Sequence, residues 1–123
     1  VGLIGFGAIG RMVAQRLDRR DDPRIAAVLV RPGRAEAVAP DLPDGAVAVE
    51  SLDALLAAGP DLVLECAGQQ AVRDFGADVL GAGTDLMIIA TSALAEPAVR
   101  ASLESAAQTG GARLLVPAGA IAG

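Results

Sequence analysis

Three glycines near the start of the chain have the spacing of a dinucleotide-binding turn. Gly5, Gly7 and Gly10 form the pattern G-x-G-x-x-G between the apolar run 1–4 and a segment with helical periodicity. In such a turn the first glycine permits the bend, the second lets a pyrophosphate approach the backbone, and the third lets the helix pack on the strand. Unpaired N–H groups at the start of the helix suit a phosphate. The sequence therefore predicts a dinucleotide site formed by Gly5, Phe6, Gly7, Ala8, Ile9 and Gly10. The alternative is a glycine-rich turn that binds nothing.

Two arginines follow the second apolar run, 25–30. An acid at this point would bind the ribose 2′-hydroxyl of NAD, whereas an arginine can bind the 2′-phosphate of NADP. The strand tip carries Arg31 and Arg34 and no acid. We expect Arg31 to contact the adenine ribose, either through charge-assisted hydrogen bonds to a phosphate or by stacking on adenine; two solvated loop arginines are the alternative. Glu36 is a further candidate for the hydroxyl, so the choice between NAD and NADP stays open.

Two later strand ends carry small or hydroxyl-bearing residues. Cys66 and Ala67 end the fourth apolar run, and we expect them to leave room for the ribose and pyrophosphate. A thiol at an apolar strand end is expected to be buried and inert rather than reactive. Glu65 is either ionised at the sheet edge or hydrogen-bonded there, and we assign it no catalytic role. Thr91 and Ser92 follow the fifth run and are candidates for the nicotinamide ribose, with capping of the next helix as the alternative.

The last candidate segment follows the sixth apolar run. It reads Pro117-Ala118-Gly119-Ala120-Ile121-Ala122-Gly123. Small residues leave a surface on which a flat ring can lie, and their backbone groups could bind the nicotinamide carboxamide. We therefore add Ala118, Gly119 and Ala120 to the candidate cofactor contacts. The alternative is a flexible linker.

Composition excludes several classes of function. The chain has 123 residues, the size of one domain, and 53% of them are hydrophobic. A net charge of -5 without a basic stripe or aromatic platform argues against nucleic-acid binding. Apolar runs such as 86–90 are too short to span a membrane. A single cysteine precludes an internal disulfide, so a cytoplasmic protein is expected. No metal site is predicted, and no catalytic residue is assigned because the chain contains no histidine.

Short apolar runs alternate with helical segments along the chain. The strands are predicted at 1–4, 25–30, 46–49, 61–66, 86–90 and 113–116. The helices are predicted at 9–20, 51–58, 70–80 and 96–109, with a short helix at 35–39 in the loop 31–46. In the first helix, Ile9, Met12, Val13 and Leu17 share one face. Because the strands are continuously apolar, we predict a doubly wound parallel α/β sheet that binds its ligand at the carboxyl ends of the strands.

Taken together, these residues resemble the N-terminal domain of the L-aspartate dehydrogenases over the whole chain. The glycine turn is shared by many dehydrogenases. The segment 117–123 is the most specific sign of the family, because that family carries P-[AS]-G-A-I-x-G at the junction between its domains. The segments that carry the resemblance are Gly5-Phe6-Gly7-Ala8-Ile9-Gly10, Glu65-Cys66-Ala67-Gly68, Thr91-Ser92-Ala93-Leu94-Ala95 and the segment 117–123.

The resemblance implies a Rossmann-type domain that binds NAD or NADP. The enzyme would oxidise L-aspartate to iminoaspartate, which hydrolyses to oxaloacetate and ammonia, and which can feed NAD biosynthesis. In that family the catalytic groups lie in a second domain, and oligomers form mostly through it. We therefore expect residues 1–123 to be the cofactor domain of a longer protein, inactive alone and part of a homo-oligomer when intact.

Three other functions remain open at this point. A related first domain occurs in homoserine dehydrogenase and in dihydrodipicolinate reductase, which would differ in the strand-end and junction sequences. A dinucleotide-sensing module would keep the glycine turn without needing a nicotinamide site. An interaction domain with a vestigial turn is the third, and the complete glycine pattern argues against it.

Overall fold

The computed structural model describes residues 1–18 and 24–117. They form one six-stranded parallel sheet with strand order β3-β2-β1-β4-β5-β6. The strands are β1 (Gly2–Ile4), β2 (Ala27–Leu29), β3 (Val47–Val49), β4 (Leu62–Glu65), β5 (Asp85–Ile88) and β6 (Leu114–Leu115). This order is that of a Rossmann fold, in which the reversal between β1 and β4 opens a crevice at the carboxyl ends. The predicted fold class is confirmed, with shorter strands than the apolar runs suggested.

In the described part of the chain, five α-helices connect the strands. They are α1 (Ala8–Asp18), α2 (Ala35–Val38), α3 (Leu52–Ala57), α4 (Gln69–Gly81) and α5 (Pro97–Gly110). Ser51 caps α3 by accepting a hydrogen bond from the Ala54 N–H at 3.2 Å. Gly111 ends α5 with a left-handed backbone, φ 67°. These boundaries agree with the predicted helices to within two residues wherever the structure describes them.

Two apolar clusters fill the space between the helices and the sheet. On one face, Leu3 and Val28 pack with Ala14 of α1 and Val38 of α2. On the other face, strand residues such as Ile4 and Ile88 pack with side chains of α3, α4 and α5, among them Leu55, Val72 and Leu103. Neighbouring strand residues thus point to opposite covered faces, which explains why the strands are continuously apolar.

Helix α1 rests on the sheet through small residues. Gly10 and Ala14 are buried, whereas the larger Ile9 and Met12 are 45% and 51% exposed. The predicted apolar face was therefore wrong for these two residues. The reason is the close approach of helix and strand: a Cβ on Gly10 would lie 2.6 Å from the Gly5 carbonyl oxygen, so only small side chains fit on that side.

Candidate cofactor-binding site

A cleft of ≈ 770 Å³ lies where the crevice of this fold is expected. The glycine turn forms its floor, the end of β2 forms one wall, and the end of β4 with the start of α4 forms the other. Of the predicted site residues, six line the cleft: Gly5, Phe6, Gly7, Arg31, Cys66 and Ala67. Ala8, Ile9 and Gly10 form the first turn of α1 behind this floor.

The glycines of the turn have the geometry that a dinucleotide requires. Gly5 has φ +93°, a conformation that side chains other than glycine rarely adopt. A Cβ on Gly7 would meet nothing within 4 Å, so the space beside its backbone is open. The start of α1 carries no acidic residue in its first turn. The positive end of the helix dipole is therefore available to an anion, and the turn fits a pyrophosphate.

The end of the cleft beside β2 is rich in charge. Arg31 and Arg34 line it and are exposed, and neither forms an ion pair with a residue that the structure describes. Glu50, which follows β3, also lines this end and accepts a hydrogen bond from the Ala35 N–H at 3.1 Å. Backbone hydrogen bonds from Gly33 and Ala35 lower the pKa of Glu50. Glu36 is not among the lining residues.

Sequence reasoning missed three charged residues of the cleft, Glu50, Arg11 and Asp74. Glu50 could have been found as the acid that follows the third apolar run, because parallel strands end at one edge of the sheet. Arg11 lies over the Phe6 ring, 4.7 Å from its centroid, and pairs with Asp41 at 3.1 Å. The loop 31–46 brings Asp41 to the first turn of α1, and no sequence pattern predicts that contact.

The second wall contains the cysteine. Cys66 is 8% exposed, and burial, together with the neighbouring charge of Glu65, raises the pKa of its thiol to about 11. The thiol is therefore protonated at neutral pH, as expected for an inert cysteine. Glu65 is hydrogen-bonded rather than free at the sheet edge.

The raised pKa of Cys66 should make the protein less stable at alkaline pH. The folded pKa lies above the ordinary value of 9.0, so the folded state keeps a proton that the unfolded state loses. We expect the free energy of unfolding to fall between about pH 9 and 11, by about 3 kcal/mol in total. The chain has no lysine, histidine or tyrosine to obscure the effect. Urea unfolding followed by circular dichroism measures it, with Cys66→Ala as the control. An equal loss in both proteins would contradict this account.

Thr91 and Ser92 lie at the neighbouring strand end, outside the cleft. They begin a 3₁₀ turn, Thr91–Ala95, that follows β5. The Ser92 Oγ accepts a hydrogen bond from Gln69 Nε2 at 2.6 Å, and the N-cap residue of α5 is Glu96, without a side-chain cap. Neither hydroxyl thus caps the next helix. The predicted contacts Ala118, Gly119 and Ala120 lie outside the described residues.

The described part of the chain, residues 1–18 and 24–117, lacks two further features. It holds no group of three or more histidine, cysteine, aspartate or glutamate residues that could bind a metal ion. None of its helices has both the length and the apolar character needed to cross a membrane.

Comparison with known proteins agrees with the geometry of the cleft. The family model of the homoserine dehydrogenase NAD-binding domain matches residues 5–117. L-aspartate dehydrogenase 2 of Bordetella pertussis is 45% identical over 100% of this chain and 46% of its own length. The L-aspartate dehydrogenase of Brucella anthropi is 41% identical over 98% of this chain and 45% of its own length. The chain thus spans about half the length of these relatives.

A solved structure gives the same result. The crystal structure of aspartate dehydrogenase from Thermotoga maritima is 26% identical, with a TM-score of 0.66 over 94% of this chain and 44% of that protein. The predicted resemblance to the L-aspartate dehydrogenases is confirmed, and with it NAD or NADP as the cofactor. The chain belongs to the family of homoserine dehydrogenase NAD-binding domains.

Proposed function

We propose that this chain is the cofactor-binding part of an L-aspartate dehydrogenase. The enzyme would transfer a hydride from the CH–NH₂ group of L-aspartate to NAD⁺ or NADP⁺, giving iminoaspartate and then oxaloacetate and ammonia. The observation that carries the proposal is 41–45% identity to named L-aspartate dehydrogenases along nearly the whole chain. The open glycine turn beneath the cleft independently supports the cofactor-binding part of the proposal.

The residues of this chain would bind and orient the cofactor. Gly5, Gly7 and the first turn of α1 would hold the pyrophosphate, and Arg31 would hold the adenosine end. Cys66 and Ala67 would leave room for the central ribose, and Thr91 and Ser92 would approach the nicotinamide side. When bound, the cofactor supplies a hydride acceptor. The groups that bind aspartate would come from the part of the enzyme that corresponds to the unmatched half of these relatives.

A substrate comparison in the full-length enzyme tests this proposal. NAD⁺ or NADP⁺ is mixed with L-aspartate or with L-homoserine, and the reduced cofactor is followed at 340 nm. Reduction with L-aspartate alone is expected. Homoserine dehydrogenase is the second candidate, because the matching family model is named after the NAD-binding domain of that enzyme. Reduction with L-homoserine alone would overturn the first proposal in favour of the second. Cofactor binding without turnover of either would favour a sensing module.

The expectations about the whole protein belong to the same proposal. We infer that residues 1–123 are the N-terminal part of an enzyme that works in the cytoplasm as a homo-oligomer, with its catalytic groups in a second domain. The fragment alone would bind the cofactor without oxidising aspartate. Aspartate-dependent reduction by the isolated fragment would contradict this division of roles.

Replacing Arg31 by alanine should discriminate between the two cofactors. A hydrogen bond between a guanidinium and a phosphate contributes about 1.5–3 kcal/mol, so NADP⁺ affinity should fall about 10- to 100-fold. NAD⁺ lacks the 2′-phosphate and should lose much less affinity. Calorimetric titration of both cofactors measures the ratio. Arg100→Ala is the charge-matched control, because Arg100 lies in α5 and pairs with Glu104. Equal losses for both cofactors would reject the 2′-phosphate role and favour stacking on adenine.

A further inference from the structure

Glu65 is a buried acid in the middle of the sheet. It is the last residue of β4, it is 1% exposed, and it is the one buried charged side chain among the residues whose side chains the structure describes, 1–16 and 24–117. Burying a carboxylate costs free energy unless the protein supplies hydrogen-bond donors. The proposed binding function assigns this residue no part.

The backbone supplies four donors to this carboxylate. Oε2 accepts from the N–H groups of Ala67 at 2.8 Å and Gly68 at 2.5 Å. Oε1 accepts from the N–H groups of Ile89 at 3.1 Å and Ala90 at 2.9 Å. Each oxygen thus binds one of two segments that are more than twenty residues apart in the chain. The side chain fixes the segment after β4 relative to the segment after β5.

One of the two segments lines the proposed cofactor site, and the other leads into the residues proposed for its nicotinamide side. Ala67 lines the cleft and abuts the glycine turn, since a Cβ on Gly5 would lie 2.8 Å from the Ala67 Cβ. Ala90 directly precedes Thr91 and the 3₁₀ turn. In a Rossmann fold each half of the sheet binds one mononucleotide. Because the adenosine end lies beside β2, the segments that Glu65 holds belong to the nicotinamide half.

The geometry points to Glu65 as a positioning residue that fixes the nicotinamide side of the cofactor site. The inference rests on the proposed function, because it takes the cofactor to lie in this cleft. Glu65 acts through the backbone of Ala67 and Ala90 and need not touch the cofactor. Its effect should therefore fall on the nicotinamide half and spare the adenosine half.

Glu65→Gln in the purified protein tests this inference. Glutamine keeps the shape of the side chain, but its NH₂ group would face two backbone N–H groups and leave them without an acceptor. Calorimetric titrations with NAD⁺ and with ADP, which lacks the nicotinamide ribose, are compared. We expect NAD⁺ affinity to fall about tenfold and ADP affinity to change less than about twofold. A general loss of folded protein would lower both affinities equally.

Two further variants keep the test decisive. Glu104→Gln removes an exposed carboxylate of α5 that pairs with Arg100, and both affinities should stay as in the wild type. If Glu65→Gln does not fold, Ala90→Pro replaces it. The Ala90 φ of -78° suits proline, and this change removes one of the two N–H groups that donate to Oε1, leaving that of Ile89. It too should lower NAD⁺ affinity and spare ADP.

The outcomes separate this inference from the proposed function. NAD⁺ affinity that is unchanged in Glu65→Gln, or that falls equally with ADP affinity, would overturn the positioning role while leaving the cofactor site intact. A folded wild-type protein that binds neither ligand would instead overturn the proposed function, and this inference with it.

Discussion

Replacing Gly7 by valine is expected to lower the affinity for NAD⁺ and NADP⁺ by about 100-fold, the upper end of what overpacking costs. The Gly7 backbone borders the cleft, and a Cβ there would meet nothing within 4 Å in the protein itself. The valine side chain would therefore project into the space proposed for the pyrophosphate. Since the added Cβ finds open space beyond the neighbouring residues of the turn, folding should be preserved. Calorimetric titration measures the affinity, and circular dichroism verifies the fold.

Gly81→Val is the matched control for this experiment. Gly81 is the last residue of α4, its surroundings are equally open, and it does not line the cleft. The control should bind both cofactors as tightly as the wild type. Undiminished binding by the Gly7 variant would remove the glycine turn from the cofactor site.

Replacing Gly10 by alanine is expected to damage both stability and binding. The added Cβ would lie 2.6 Å from the Gly5 carbonyl oxygen and 3.3 Å from its carbon. These are backbone atoms, and the Gly5 N–H is bound to the Leu29 carbonyl at 2.8 Å, so the turn cannot yield easily. We expect a loss of about 1–3 kcal/mol in the free energy of unfolding. Because the displaced turn is the proposed pyrophosphate site, cofactor affinity should fall as well.

Urea unfolding followed by circular dichroism measures this loss, since the chain has no tryptophan or tyrosine for fluorescence. Gly81→Ala is the control, because its Cβ would meet nothing within 4 Å. Alanine normally favours a helix over glycine by up to about 1 kcal/mol, so the control should be at least as stable as the wild type. A Gly10 variant as stable as the control would show that α1 does not rest on the turn as described.

The fold could be predicted largely from local patterns. Continuously apolar strands such as 61–66, helical spacing between them and the glycine turn are sufficient for a doubly wound sheet. The orientation of α1 was not predictable in this way. Ile9 and Met12 have helical spacing, but the helix buries Gly10 and Ala14 because the turn and helix approach so closely. A pattern built on hydrophobicity alone cannot detect a face that is selected for small size.

The candidate site was predictable where it follows from chain order and not where it depends on tertiary contacts. Gly5, Gly7, Arg31 and Ala67 sit at strand ends that the topology brings to one cleft. Glu65 was visible in the sequence as an acid at a strand end, but its role requires knowing that β4 and β5 are neighbours and that both following segments turn their N–H groups toward it. These distances are set by pairing and packing.

The most direct test of the central claim is to map the cofactor onto the backbone of the ¹⁵N-labelled protein by amide chemical shifts during titration with NAD⁺ and NADP⁺. The account predicts the largest shifts at Gly5, Gly7 and Gly10, with further shifts at Arg31 and Ala67. NADP⁺ should shift Arg31 more than NAD⁺ does. Saturating shifts confined to surfaces away from the glycine turn, or none in a folded protein, would contradict the assignment of this cleft as the cofactor site.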